Sequence, residues 1–272
     1  MPKIRSNGLQ MYYELDETGT PVVLVSGLTL DHLAWAPQVP DLRAAGYRCL
    51  QFDNRDVGQT DQSPTAYTIR QFAADTIGLM DALDVPSAHI VGASMGGMIA
   101  QEIGLNYPAR VLSLTLVCTV AATDAALGDI VRAWQVLRPP ASPEQFTLTI
   151  SPWLFTSRFY ERPEAMQGLL QMVRDNPYPQ TATAFSRQCD AILSHDAAGR
   201  LRSLRAPTHI IVGTEDVLTP PRYSHTLAAL IADARLTEIP AAGHGLFWER
   251  VPEFNHAVIG FLDEHAVNRA PR

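Results

Sequence analysis

Ser94 lies in Gly92-Ala93-Ser94-Met95-Gly96-Gly97, the stretch whose residue types and spacing speak most directly of chemistry. A Gly-x-Ser-x-Gly run is expected by chance about 0.05 times in a chain of this composition. It follows an apolar, strand-like run and opens a helical stretch. That strand–turn–helix setting presents a serine hydroxyl at a sharp, strained turn. The flanking glycines then have a physical task, because a Cβ at either would collide with the adjoining strand and helix. The rival reading is a tight turn whose serine only caps the helix.

A serine hydroxyl becomes nucleophilic near neutral pH only with a base beside it. The eight histidines are His32, His89, His195, His209, His225, His244, His256 and His265. His89 and His209 lie inside apolar strand-like runs and read as structural. His225, His256 and His265 fall on late helices, where solvated faces are the simplest reading. His32 follows the second apolar strand and is a candidate for substrate contact. His244 stands in Ala241-Ala242-Gly243-His244-Gly245, between a strand and the last helix, in a loop that lets its ring project into a cleft. A third group must fix the imidazole tautomer. Asp216, 28 residues before His244, follows the strand ending at Gly213. Its neighbour Glu215 competes for that role, but adjacent extended residues point opposite ways, so one of the two faces the site. A developing oxyanion needs two backbone donors. The N–H of Met95, at the start of its helix, is one. Leu28, in the Ser26-Gly27-Leu28-Thr29-Leu30 loop, is the expected source of the other.

Positioning these residues requires strands that deliver loops to one sheet edge. Pro21–Val25, Tyr47–Phe52, Ala88–Gly92, Leu112–Cys118, Thr208–Gly213 and Arg235–Ile239 read as strands, mostly continuous apolar runs covered on both faces. Leu9–Leu15 alternates and reads as a half-exposed edge strand. Ile69, Phe72, Ala73, Ile77, Met80 and Leu83 mark one helical face. A helix after Ser94 should stop before Pro108, and Val251–Glu264 reads as a closing helix. The expected fold class is therefore α/β: a mostly parallel central sheet flanked by helices. The stretch 121–200 lacks buried strands and is rich in aromatics, so residues 1–120 and 201–272 are expected to form the core and 121–200 a helical cap, or lid. Trp134, Trp153 and Phe155 are its candidates for lining a substrate pocket.

Composition removes several function classes. The chain of 272 residues has a net charge of −7 and 46% hydrophobic residues, which is globular and offers nucleic acid no counterion release. Lys3 is the only lysine, so lysine Schiff-base chemistry and a Gly-Lys-Ser/Thr phosphate loop are excluded. Cys49, Cys118 and Cys189 are three and widely spaced, which favours buried reduced thiols over a disulfide framework. No zinc-type spacing occurs, and no metal or other cofactor is expected. No leader-like or spanning apolar run is visible, so the expectation is a cytoplasmic protein with no membrane span, monomer or homodimer.

These residues resemble the α/β-hydrolase superfamily across nearly the whole chain, in the order Ser94, Asp216, His244. Asp53-Asn54-Arg55-Asp56-Val57-Gly58-Gln59-Thr60 is similar to the family's Asp-x-Arg-x-x-Gly-x-Ser/Thr segment, and Trp35 matches an aromatic after the oxyanion loop. The Ser94–Met98 run and the Asp-Asn-Arg-Asp segment look most like the branch holding 3-oxoadipate enol-lactonases, aclacinomycin-type methylesterases and small carboxylesterases. Two positions depart: Ser26-Gly27 stands where many members have His-Gly, and Asp56 where glycine is common. The resemblance implies a serine hydrolase of small, mostly apolar carboxylic esters or lactones, with His32, Trp35, Trp134, Trp153 and Phe155 at the substrate. Arg158, Arg162 or Arg174 could meet a carboxylate on an anionic lactone. A carbon–carbon bond hydrolase of ring-cleavage products and a non-catalytic small-molecule receptor are the rival readings.

Overall fold

The computed structural model describes residues 2–266. A hairpin of β1 (Lys3–Ser6) and β2 (Leu9–Leu15) opens the chain, followed by β3 (Thr20–Val25), α1 (Val39–Ala44) and β4 (Tyr47–Phe52). Then come α2 (Ile69–Ala82), β5 (Ala88–Ala93), α3 (Met95–Asn106) and β6 (Val111–Val117). Five helices follow: α4 (Ala125–Leu137), α5 (Pro143–Leu154), α6 (Ser157–Tyr160), α7 (Pro163–Asp175) and α8 (Ala182–Leu193). The sheet resumes with β7 (Thr208–Gly213), α9 (Pro221–Leu230) and β8 (Arg235–Ile239), and α10 (Leu246–Glu249) and α11 (Val251–Glu264) close the described chain. Met1 and 267–272, the last stretch of the expected core segment, lie outside the described residues.

The eight strands form one sheet in the order β1-β2-β4-β3-β5-β6-β7-β8. β1 and β2 run antiparallel to their neighbours, while β3 to β8 pair in parallel. This is the expected α/β sheet, with one correction. Leu9–Leu15 is not the sheet edge, because β1 pairs outside it, Lys3 opposite Tyr12 and Ser6 opposite Leu9. β1 is only four residues long and carries a lysine and an arginine, so it has no apolar pattern to read.

Strand β3 explains why both faces are covered. Val23 and Val25 pack towards Phe72, Met80 and Ile99 of α2 and α3, whereas Val22 and Leu24 pack towards Leu42, Phe254 and Leu262 of α1 and α11. Period-two side chains with apolar residues at every position bury both faces, as a parallel strand between helical layers must. The two strand histidines are absorbed by this core. His89 Nδ1 meets Ser113 Oγ at 2.7 Å, and His209 Nε2 meets Thr237 Oγ1 at 2.8 Å.

Helices α4 to α8 cover one end of the sheet. α5 starts with a capping box, Ser142 and Gln145 exchanging side-chain and backbone bonds, with Pro143 at the first helical position. Phe146 of α5 meets Phe185 of α8 edge-on at 5.0 Å between centroids. The shell is tied to the sheet by Arg187 of α8, which makes a bidentate pair with Asp56, both bonds 2.8 Å. No helix of the described residues is long and apolar enough to cross a membrane.

Candidate active site

Strand β5 runs straight into Ser94, which has φ 56° and ψ −118°. A non-glycine residue held in the left-handed region costs about 1–3 kcal/mol and persists only where its surroundings over-determine it. Here they do. Ser94 N–H donates to Val117 O at 2.8 Å, and Ser94 C=O accepts from Thr119 Oγ1 at 2.8 Å and Gly97 N–H at 2.9 Å. A Cβ at Gly92 would land on the Gly96 carbonyl, and one at Gly96 on the Val25 carbonyl oxygen, so neither position tolerates a side chain. The Ser94 side chain makes no capping bond to α3, which removes the capping-serine reading. It lines a cavity of about 870 Å³ shared with His244 and Thr219.

His244 follows β8 in a loop pinned on both sides. Gly243 N–H donates to Glu249 Oε2 at 2.7 Å, and Gly245 N–H to Leu154 O at 2.7 Å. The other Glu249 oxygen accepts from Thr156 N–H and Oγ1 at 2.9 and 2.7 Å, so one carboxylate brackets the histidine loop and the α5–α6 junction. His244 Nδ1 meets Asp216 Oδ2 at 2.9 Å. Asp216 also accepts from Leu218 N–H, Thr219 N–H and Thr219 Oγ1 at 2.9, 2.8 and 2.8 Å. Burial by itself would raise this carboxyl, but the His244 charge and hydrogen bond and the Thr219 donors together hold it below the usual range. Of the two acidic neighbours, Asp216 thus faces His244, while Glu215 points out to Arg158 at 3.0 Å.

Leu28 lines the cavity. A Cβ at Gly27 would stand 3.2 Å from the Ser94 Cβ, which puts this loop directly beside the serine. Among the described residues, neither the Leu28 nor the Met95 N–H has a protein acceptor. The loop is braced by Asn54 Nδ2 on Ser26 O at 3.1 Å and by Thr29 N–H on Gln188 Oε1 at 3.0 Å. Serine at position 26 therefore leaves the Leu28 donor in place, although many relatives have histidine there.

Cys118, at the end of β6, also lines the cavity. Its thiol lies within 4.8 Å of the ligand atoms of Asp216 and His244. Such a set could hold a soft metal, but four donors already occupy the Asp216 oxygens. Burial, reinforced by the Asp216 charge, pushes the Cys118 thiol well up, so it stays protonated.

The remaining expected contacts divide. Trp134 and Phe155 line the cavity, as does His32. His32 Nδ1 is held by Asp53 Oδ1 at 2.7 Å, and burial, which lowers its pKa, is outweighed by the Asp53 bond and charge, which raise it. Trp35 is a correction. It is 1% exposed, stacks on Phe247 at 5.2 Å, and packs with Leu24 and Phe254 on the far side of the sheet. Three positions after His32 in the same 3₁₀ turn, its position places it in the core. Trp153 is a second correction. It is 37% exposed and outside the lining, because α5 turns Phe146, Ile150 and Leu154 inward at helical spacing and leaves 153 off that face. Nor do Arg158, Arg162 or Arg174 reach the cavity; Arg158 pairs with Glu215, Arg162 lies over Phe159 and Arg174 bonds Gln171. The arginine that does line it is Arg138, which the sequence reading missed. Thr219 was missed as well, although its place three residues after Asp216 is the spacing at which Asp side chains collect local donors.

Residues 20–251 match the family model described as alpha/beta hydrolase fold. The chain belongs to the α/β-hydrolase family. Among its curated relatives is 3-oxoadipate enol-lactonase 1 of Acinetobacter baylyi, 30% identical over 75% of this chain and 74% of that one. Another, from Azorhizobium caulinodans, is named "Putative carbamate hydrolase RutD" and is 29% identical over 97% of this chain and 99% of its own. Among solved structures, the enol-lactonase from Burkholderia xenovorans LB400 superimposes with a TM-score of 0.88 at 28% identity, covering 96% of this chain and all (100%) of that one. The resemblance to the enol-lactonase branch of the α/β-hydrolases thus holds in sequence and in structure.

Proposed function

We propose that this α/β-hydrolase cleaves carboxylic esters or lactones through Ser94, His244 and Asp216. One observation carries the reading: a strained Ser94 shares a cavity wall with His244, whose Nδ1 is tied to buried Asp216 at 2.9 Å. With Nδ1–H donated to Asp216, Nε2 is the free base. Ser94 Oγ attacks the carbonyl carbon and its proton passes to His244 Nε2. The oxyanion accepts bonds from the Leu28 and Met95 N–H groups, at the positive end of α3. As the oxyanion collapses, the bond to the alkoxide or enolate breaks and His244 protonates the departing oxygen. A water, deprotonated by His244, then attacks the acyl-serine and releases the acid. The net reaction consumes one water and needs no cofactor.

The rest of the reading concerns setting. Helices α4 to α8 act as the cap, supplying Trp134, Phe146, Ile150, Leu169, Met172 and Phe185 to an apolar cavity that suits a small substrate body. The enol-lactonase relatives support a lactone as readily as an open ester, and a carbamate carbonyl would follow the same route. Three free, buried cysteines suit a reducing cytoplasm.

The test is intact-mass labelling with a fluorophosphonate, beside Ser94→Ala, followed by an ester and lactone panel. One adduct on the wild type, none on the variant, and turnover of esters or lactones support the proposal. An unlabelled wild type that binds small ligands favours the receptor reading. Hydrolysis of ring-cleavage dienones without that of esters favours the carbon–carbon bond reading.

A further inference from the structure

Arg138 caps the C-terminus of α4 and is the one lysine or arginine among the described residues lining the cavity. A guanidinium carries five N–H donors. Nη2 donates to Gln180 O at 2.8 Å, and Nη1 reaches Ala141 O at 3.4 Å. The group sits over the Phe146 ring at 5.5 Å, in the apolar part of the wall. Among the described residues it has no carboxylate partner. The acids around the same cavity are engaged elsewhere: Asp53 holds His32, Glu14 accepts from Tyr12 Oη at 2.9 Å, Asp31 caps Leu33 N–H at 3.0 Å, and Asp175 accepts from Gln171 at 2.8 Å. Burial is the single influence on Arg138 and lowers its pKa, so no charged neighbour compensates it. A half-buried cation without a counter-ion is costly, and evolution of a chain with net charge −7 would not place it in a substrate cavity for attraction at long range.

We propose that Arg138 is an anion subsite, and that the substrate is an ester or lactone carrying a free carboxylate at the end remote from the scissile bond. This rests on the proposed hydrolase reading and sharpens its substrate class. Free N–H groups of Arg138 meet the carboxylate, and the aromatic and aliphatic wall takes the chain between the two ends. Neutral substrates, favoured by the balanced charge count of 121–200, are then second best. That count misleads because most of those charges are on the outer surface, whereas Arg138 is turned inward.

The experiment compares two series of 4-nitrophenyl esters: hemiesters of the linear dicarboxylic acids from succinate to suberate, and the neutral alkanoates of matching length. The readout is the ratio of kcat/KM, anionic over neutral, at the best chain length. In Arg138→Gln this ratio is expected to fall about tenfold to a hundredfold, mainly through KM, with Arg138→Lys between the two. A ratio within about twofold of wild type in Arg138→Gln overturns the proposal. A wild-type measurement guards against a misfolded variant. Phenylglyoxal modification of Arg138, located by peptide mass, should be blocked by the free dicarboxylate of best length; modification that ignores it overturns the proposal. These arms separate the two readings. If no ester turns over, the hydrolase reading fails. Calorimetric binding of the dicarboxylate to the wild type, lost in Arg138→Gln, would still support the subsite, and no binding up to about 10 mM would overturn it.

Discussion

Asp56 stands at φ 69°, in the left-handed region where relatives commonly have glycine. Its carboxylate is fully buried and accepts four bonds: Arg187 Nε and Nη2 at 2.8 and 2.8 Å, Tyr67 Oη at 2.6 Å and Ser63 N–H at 2.7 Å. Asp56→Asn keeps the volume but removes the charge and turns an NH₂ towards donors. Breaking a buried pair by deleting one partner costs about 3–5 kcal/mol. Arg187 is 17% exposed and recovers part of its hydration, so about 3 kcal/mol is the expected loss. Asp56→Gly suffers the same loss but relieves about 1 kcal/mol of left-handed strain, leaving about 2 kcal/mol. Urea unfolding of both variants and of Arg187→Met, completed as a double-mutant cycle, measures this. An Asp56–Arg187 coupling above about 1.5 kcal/mol is expected. If Asp56→Asn costs less than about 1 kcal/mol, or the two changes add within about 0.5 kcal/mol, the pair does not fasten α8 to the core as described.

Three further outcomes follow from the same geometry. Asp216→Asn should fold normally and lose about 10³–10⁴ in kcat on any ester of the panel, since Nδ1 loses its anionic partner; a loss below about tenfold would remove Asp216 from the triad. Gly96→Ala sets a Cβ on the Val25 carbonyl oxygen, and should lower Tm by more than 10 °C, at about 2–4 °C per kcal/mol for a chain of this size; a melt within about 3 °C of wild type would mean that the elbow can relax. His195 and His209 are each held by burial at about 4, below the value of about 6.5 of the unfolded chain. The unfolded state therefore takes up protons first, and stability, complete above about pH 6.5, falls by about 3 kcal/mol per histidine as pH drops to about 4. His195→Gln should flatten that acid limb in urea titrations across pH 4–7, and an acid limb parallel to wild type would show that His195 is not its source.

What the sequence made legible is what backbone chemistry forces. Ser94 between Gly92 and Gly96 is readable because no other residue types fit a strand that turns into a helix within one residue. The parallel strands are readable because burial on both faces leaves apolar residues at every position of β3 and β5. The cavity wall is readable only in part, because lining depends on where a helix faces once it is docked. Trp153 and Phe146 are both large aromatics on α5, and only the inward one lines the cavity. Trp35 and His32 share one 3₁₀ turn and face opposite layers. Arg138 was hidden for the same reason: in a segment with many charged residues, its inward direction is set by the C-cap of α4 and the Gln180 carbonyl, not by local spacing.

The cap is fastened unequally, and this bears on how a substrate is held. At one side Arg187 locks α8 to Asp56, and Gln188 of the same helix reaches the Arg55 and Thr29 backbone at 3.1 and 3.0 Å. At the other side Glu249 ties Thr156 to the loop that carries His244. Both ties end on loops of the site, so the cap and the reacting groups are positioned by the same bonds. Helix α7 lies between these ties and buries no residue fully, yet Leu169, Met172 and Val173 line the cavity. Their apolar surface faces empty volume. An apolar substrate body covers it at about 25 cal/mol per Å² removed from water. Binding energy from that part of the substrate is therefore spent on ordering the least secured helix, while the serine, the histidine loop and the oxyanion donors are already held by bonds that do not depend on the ligand.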